Sequence, residues 1–285
     1  MSIVVGNKAC NAKCPYCISK MTSKTEQLPS MFWTINWRNF HIACKLAQKA
    51  EATTVLLTGK GEPTLHPNLI TQYLTQLGDN KRCYFPFIEL QTNGIKLATD
   101  ESYNEHLKEW YKLGLTTICL SAVHWDIERN KEIYGDYYDL PSLTNKLHSM
   151  GFTVRLSIMM LKGYIDNPRE IRKVIGFCRT NKIKQLTIRP ISRPEGAIDT
   201  PQALFVKEHT LNEQDQFDIE KDIAKHATPV LHLAHGATVY DFDGQNICLA
   251  NCLTTNKNED DIRQIIFFPD GTISYDWAYK GAVLL

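Results

Sequence analysis

The chain has 285 residues, 43% hydrophobic and 22% charged, and its 32 Lys plus Arg nearly cancel 31 Asp plus Glu to leave a net charge of +1. These are the proportions of an ordinary globular protein, long enough to bury a core without staples. Such a balance argues against nucleic-acid binding as the main task, and no run of about 18 apolar residues is present to span a membrane.

Nine cysteines cannot all pair with one another. The opening segment, MSIVVGNKAC, lacks the long apolar stretch and small-residue cleavage site of a signal peptide. A reducing, cytoplasmic compartment is therefore expected, where clustered cysteines read as metal or catalytic groups rather than bridges.

In chain order, short β-branched runs alternate with amphipathic helical patterns. The expected strands are Ser2–Gly6, Thr54–Thr58, Phe87–Gln91, Thr117–Ser121, Thr153–Ile158 and Gln185–Ile191. They are apolar with little alternation, as in a parallel sheet covered by helices. Thr34 or Asn36 caps a first helix with Phe40, Ala43, Ala47 and Ala50 inward, and Leu69, Ile70, Tyr73, Leu74 and Leu77 form the next stripe before Gly78. A third helix starts at Thr99 or Asp100 and buries Leu107, Trp110 and Leu113; a fourth carries Leu140, Leu143, Leu147 and Met150. Asn167 and Pro168 open a fifth, with Ile171, Val174, Ile175 and Cys178 inside. Six strands with five intervening helices imply an α/β fold, either an open sheet or a partial barrel, over residues 1–191.

Residues 192–212 read as a proline-containing connection, Glu213–Ala227 as a helix, and the rest as short strands at Val230–Leu233, Thr238–Phe242, Gln264–Phe268 and Thr272–Tyr275. Pro269-Asp270-Gly271 joins the last two as a hairpin. Residues 192–285 are thus expected to form a small α+β extension.

The densest chemical signal is Cys10-Asn11-Ala12-Lys13-Cys14-Pro15-Tyr16-Cys17, just after the first strand. Closed structural sites take four ligands, so on spacing alone a zinc knuckle completed by a distant His or Cys is one reading. A cubane held by three thiolates, with one iron left open for a ligand, is the other.

Cys-x3-Cys-x2-Cys with Tyr16 before the last cysteine resembles the signature of the radical S-adenosylmethionine (SAM) superfamily. Thr58-Gly59-Lys60-Gly61-Glu62-Pro63 resembles its Gly-Gly-Glu-Pro segment, with Lys60 as a departure; Leu90-Gln91-Thr92-Asn93-Gly94 and Leu120-Ser121 end strands three and four as in many members. The resemblance implies a partial (β/α)6 TIM-type barrel. It also implies a [4Fe-4S] cluster on Cys10, Cys14 and Cys17, and SAM cleaved reductively to a 5′-deoxyadenosyl radical that abstracts a hydrogen atom. Gly59, Gly61, Glu62 and Pro63 are then expected around the SAM amino group, Thr92 and Ser121 at its carboxylate or ribose, and Tyr16 at the adenine; Asn93 is a further SAM-binding candidate, with a turn residue before Gly94 as its alternative. Arg155 and Ser157, two apart on strand five, are further SAM-binding candidates, with a salt bridge outside the barrel as the alternative for Arg155. Thr187, Arg189, Ser192 and Arg193 at strand six point to an anionic substrate.

Cys44, Cys83, Cys119 and Cys178 read as packing residues. Cys248 and Cys252 lie in what reads as turns, where members related to the molybdenum-cofactor cyclase and peptide-modifying enzymes carry an auxiliary cluster. Two thiolates would need help from Asp276, His232 or His235, so one cluster is favoured over two. Ala282-Val283-Leu284-Leu285 replaces the cyclase's Gly-Gly tail, which suggests a relative of that enzyme. With the first strand starting at residue 2, a small-molecule substrate, a nucleotide-like one among the candidates, is preferred to a peptide, with flavodoxin or ferredoxin as electron donor. The alternatives are a glycyl-radical activase and a non-catalytic zinc-stabilised binding protein.

Overall fold

The computed structural model describes residues 1–22, 34–78, 84–194, 197–233, 236–250, 264–277 and 281–285. In chain order the elements are β1 (Ser2–Val4), α1 (Ile18–Met21), α2 (Trp37–Lys49), β2 (Thr54–Thr58), α3 (Pro67–Leu77), β3 (Phe87–Thr92), α4 (Ile95–Thr99), α5 (Tyr103–Lys112), β4 (Thr117–Ala122), α6 (Ile127–Tyr134), α7 (Leu140–Ser149), β5 (Thr153–Met160), α8 (Pro168–Thr180) and β6 (Gln185–Pro190). Then follow α9 (Pro201–His209), α10 (Glu213–His226), β7 (Thr228–His232), β8 (Thr238–Phe242), β9 (Gln245–Leu249), β10 (Ile266–Phe267) and β11 (Ile273–Ser274).

Strands β1 to β6 pair in parallel and in sequence order, the expected (β/α) layout. The caps explain where the helices start. Asn36 Oδ1 accepts from Asn39 N–H at 3.1 Å, and Asn167 Oδ1 accepts from Glu170 N–H at 3.1 Å with Pro168 in the first turn. The predicted helix faces are buried: Phe40, Ala43 and Ala47 on α2, the five-residue stripe on α3, and Ile171, Val174, Ile175 and Cys178 on α8. They pack on Val55, Leu57, Leu90, Leu120, Leu156 and Ile188 of the strands in one continuous core.

The structure corrects several expectations. Ala50 caps α2 and is exposed; the third predicted helix is α5, which starts three residues later than expected after an Asp100–Ser102 turn in which Asp100 Oδ1 accepts from Ser102 N–H at 3.1 Å, and a short helix not anticipated, α4, precedes that turn. Residues 192–212 contain a helix, α9, which Thr200 caps by accepting from Ala203 N–H at 3.2 Å, followed by Pro201. Residues 245–249, read as turns, form β9, paired antiparallel with β8 and parallel with β6. The strands after residue 191 therefore extend the sheet at both edges, because β10 pairs parallel with β1 at Ser2↔Ile266 and Ile3↔Phe267.

The strands also alternate more than expected. On β3 to β6 most residues that face away from the helices are polar, among them Glu89 and Gln91, Ser121, Arg155 and Ser157, and Thr187 and Arg189, with Phe87, Cys119 and Met159 on the same face. Arg155 on β5 reaches across β4 to Glu89 on β3 at 2.6 Å, so this face is concave and forms a lumen. Cys44 and Cys178 are buried in the apolar core as expected, whereas Cys119 is buried on the lumen side, 3.4 Å from Arg155 Nε. Cys83 lies outside the described residues.

Candidate active site

The carboxyl ends of the parallel strands gather the predicted segments. The cysteine loop leaves β1 through Val5, whose N–H donates to Thr58 O at 2.7 Å, and Gly6, whose φ of +71° only glycine adopts readily. A second glycine lets the loop come down onto the β2 segment. A Cβ on Gly61 would stand 2.0 Å from Ala9 O and 2.7 Å from Asn7 O, so any side chain there pushes the cysteine loop away. Next to it, Glu62 N–H donates to Ala9 O at 2.9 Å. Lys60 departs from this wall: its Nζ lies 5.4 Å from the centre of the Phe268 ring, and burial lowers its pKa.

Glu62 is 3% exposed. Its Oε1 accepts from Thr64 N–H (2.9 Å), Thr64 Oγ1 (2.7 Å) and Thr92 Oγ1 (2.6 Å), and its Oε2 from Asn93 N–H (2.8 Å). Four donors fill the acceptor capacity of a carboxylate, so this side chain bolts the β2 segment to the end of β3. Burial raises its pKa, and the four donors pull against that shift. Asn93 carries the connection on to the cysteine loop: its Nδ2 donates to Asn11 Oδ1 at 2.8 Å and lies 3.8 Å from Cys10 Sγ. Its Oδ1 accepts from Ile95 N–H, so it also starts α4. Gly94 follows with φ +77° and packs on the Tyr138 hydroxyl.

The far side of the loop rests on α6. Tyr134 O accepts from Lys13 N–H at 2.9 Å, and its hydroxyl lies 2.8 Å from that of Tyr16. Tyr134, Tyr137 and Tyr138 form a run of close rings, with Tyr137 donating to Ser121 O at 2.7 Å. Tyr16 is thus anchored by its hydroxyl, and burial holds its phenol protonated.

Cys10 is exposed and Cys14 and Cys17 are half-buried. Burial, reinforced by the neighbouring thiols, raises the pKa of Cys10 and pushes Cys14 up to about 12. Three thiols gathered on one short loop fit a multi-iron cation that would share their charge. Among the described residues no three His, Cys, Asp or Glu side chains converge on a single ion.

The structure brings Cys10, Cys14, Cys17, Tyr16, Gly59, Gly61, Glu62, Pro63, Thr92 and Asn93 into one contiguous wall. Ser121 and Ser157 face each other in register on β4 and β5, beside it on the lumen. Arg155 is inside the barrel, deeper than Ser157, and bound to Glu89. Sequence reasoning missed Glu89, Thr64 and Tyr134. The first was visible as a charged residue between Ile88 and Leu90 on an apolar strand. Of the second cysteine pair, Cys248 lies on β9 opposite Thr187, and Cys252 and His235 fall outside the described residues.

A profile described as "Radical SAM superfamily" matches residues 4–178. The GTP 3′,8-cyclase of Vibrio cholerae serotype O1 is 24% identical over 205 residues, 70% of this chain and 55% of that protein. Among solved structures, SuiB of Streptococcus suis bound to S-adenosylmethionine has a TM-score of 0.61 at 16% identity, covering 98% of this chain and 60% of SuiB. HydG, a maturase of the [FeFe]-hydrogenase, has a TM-score of 0.55 at 12% identity, covering 78% of this chain and 48% of HydG. This chain therefore spans between about half and three fifths of the length of these proteins, and the structural likeness is one of fold, a partial TIM-type barrel. Among the described residues no helix is long and apolar enough to cross a membrane.

Proposed function

The chain belongs to the radical SAM superfamily of enzymes, and from that premise we propose that it holds a [4Fe-4S] cluster on Cys10, Cys14 and Cys17, cleaves SAM reductively and abstracts a hydrogen atom from its substrate. The observation that carries this reading is the loop of three thiols closed against Gly61, Glu62 and Asn93. When bound, the cluster supplies an open iron and the electron that breaks the sulfur–C5′ bond of SAM.

The chain's own residues bind and orient. Gly59, Gly61 and Pro63 leave backbone carbonyls near the loop for the SAM ammonium, since a buried cation has to be paired. Glu62 and Thr92 act by fixing that segment, because their polar atoms are spent on each other and on Thr64, Asn93 and Gly94. Ser121 is left for the carboxylate or ribose, and Ser157, whose Oγ accepts from Arg189, keeps its own hydroxyl hydrogen to donate there. Tyr16, held at its hydroxyl by Tyr134, offers its ring to the adenine. Arg155, neutralised by Glu89, props the lumen beneath them.

The substrate we favour is a small molecule admitted to the polar lumen. A peptide is the second reading, favoured by the likeness of fold to SuiB bound to its precursor peptide SuiA. We infer one cluster rather than two, a flavodoxin- or ferredoxin-type electron donor, and a reducing, cytoplasmic setting that keeps the thiols free.

Anaerobic reconstitution tests the reading. About four irons and four sulfides per chain are expected, with 5′-deoxyadenosine released on adding SAM and a reductant, and both lost in Cys14→Ala. Colourless protein carrying stoichiometric zinc after reconstitution would refute it in favour of the zinc-stabilised alternative.

A further inference from the structure

Strands β3 to β6 carry one carboxylate, Glu89, and two cations, Arg155 and Arg189. The carboxylate is taken: Arg155 Nη2 lies 2.6 Å from Glu89 Oε1, and Gln91 Nε2 donates to the same oxygen at 3.1 Å. Arg189 stands near the open end of the lumen, across from Met159 in the register of β5 and β6. Its Nη2 donates to Ser157 Oγ at 3.1 Å, a neutral partner. Its Nε is sealed from solvent and has no hydrogen-bond acceptor. Among the described residues no carboxylate lies within ion-pair distance of it. The other arginine of this stretch, Arg193, is already spent on Asp199 at 2.7 Å and on Ala197 O.

A guanidinium that faces a polar lumen, with one N–H sealed away and no counter-charge, is held at a cost that an anion would remove. Its planar fork suits a two-oxygen anion bound through parallel N–H donors. We propose that Arg189 is the substrate anchor: the substrate carries a carboxylate or phosphate group that pairs with Arg189 inside the barrel. This rests on the reading of the lumen as the substrate chamber. It places the anionic end of the substrate on β6 and the hydrogen to be abstracted nearer the cysteine loop on β1.

The test separates an anion site from a structural brace and from a contact to SAM. The full chain, reconstituted under anaerobic conditions, is unfolded by heat in potassium chloride, potassium phosphate and potassium acetate at equal ionic strength, for wild type, Arg189→Met and Arg189→Lys. Phosphate or acetate is expected to raise the wild-type unfolding temperature. Arg189→Met should be insensitive to both, and Arg189→Lys should keep part of the response. In chloride Arg189→Met should unfold no lower than wild type, because it relieves an uncompensated charge. The anion that stabilises more identifies the substrate group. SAM affinity, measured by equilibrium dialysis, should stay within about twofold. A wild type indifferent to both anions, together with an Arg189→Met that unfolds at lower temperature, would make the residue a brace to Ser157. A tenfold loss of SAM affinity in Arg189→Met would assign it to the cofactor instead. Either result overturns the proposal. The anion arms need no SAM cleavage, so they stand or fall apart from the proposed reaction.

Discussion

Thr92→Val removes two buried bonds without opening a cavity, because the side chains have nearly the same shape. The Thr92 hydroxyl donates to Glu62 Oε1 at 2.6 Å and accepts from Gly94 N–H at 2.9 Å. A hydrogen bond to a charged acceptor contributes about 1.5–3 kcal/mol, and a buried N–H left without a partner costs about 1–3 kcal/mol. The two losses share an atom and are not additive, so about 2–4 kcal/mol is expected at neutral pH. The sign of its pH dependence follows from Glu62, whose folded pKa is raised above 4.5 by burial. A raised carboxylate favours the folded state most below the unfolded pKa, and that contribution is lost as pH rises through the folded pKa. The Thr92 donor opposes that loss by stabilising the ionised form. Its removal therefore costs least at pH 4 and more as the carboxylate ionises. Urea midpoints of the cluster-free, reduced chain from pH 4 to pH 8 measure the difference. Thr92→Ser, which keeps the hydroxyl, should stay within about 1 kcal/mol of wild type. A Thr92→Val penalty that is flat across this range, or below about 1 kcal/mol at neutral pH, would show that Glu62 is not the ionised bolt described above.

Gly61→Ala brings a methyl within 2.0 Å of Ala9 O; iron content after reconstitution should fall well below wild type while circular dichroism of the helices is retained. Arg155→Met strands Glu89, only 5% exposed, without its cation, and should cost about 3–5 kcal/mol by denaturant titration, most of it recovered in the double variant with Glu89→Gln. Tyr134→Phe keeps the backbone bond to Lys13 and loses only the 2.8 Å contact with Tyr16. It should cost about 1 kcal/mol and leave iron content unchanged, with a weaker affinity for SAM by equilibrium dialysis if Tyr16 contacts the adenine.

The helices were legible where an apolar stripe met a cap, as at Asn36 and Asn167, since both signals are local. The site segments were legible because chemistry fixes their residue types within a few positions, as with the three cysteines. What escaped was long-range or masked by another signal. Glu62 and Thr92 are 30 residues apart, and nothing in either segment announces that the carboxylate spends itself on the hydroxyl. The strand β9 is masked in the sequence by Cys248 and Cys252, whose spacing reads as ligands in turns, although Asp243-Gly244, both at positive φ (47° and 85°), is a hairpin signal. Helix α9 had its Thr200-Pro201 start in plain view, but Pro190 and Pro194 just before it suggested a loop. The lumen was missed because the polar residues of β3 to β6 are few per strand, and only their alignment across strands makes a surface.

The pairing of β1 with β10 has a consequence for the nascent chain. When Pro190 has left the ribosome, β1 to β6 can pair, yet one edge of β1 waits for Ile266 and Phe267. At about 5–20 residues per second, the intervening stretch takes roughly 4–15 s to synthesise. During that interval the backbone donors and acceptors of Ser2–Val4 form a bare edge beside the cysteine loop, open to strand pairing with neighbouring chains. The hairpin of β10 and β11 thus acts as a late closure, and slowing translation over residues 191–265 should raise the insoluble fraction more than slowing it after residue 275.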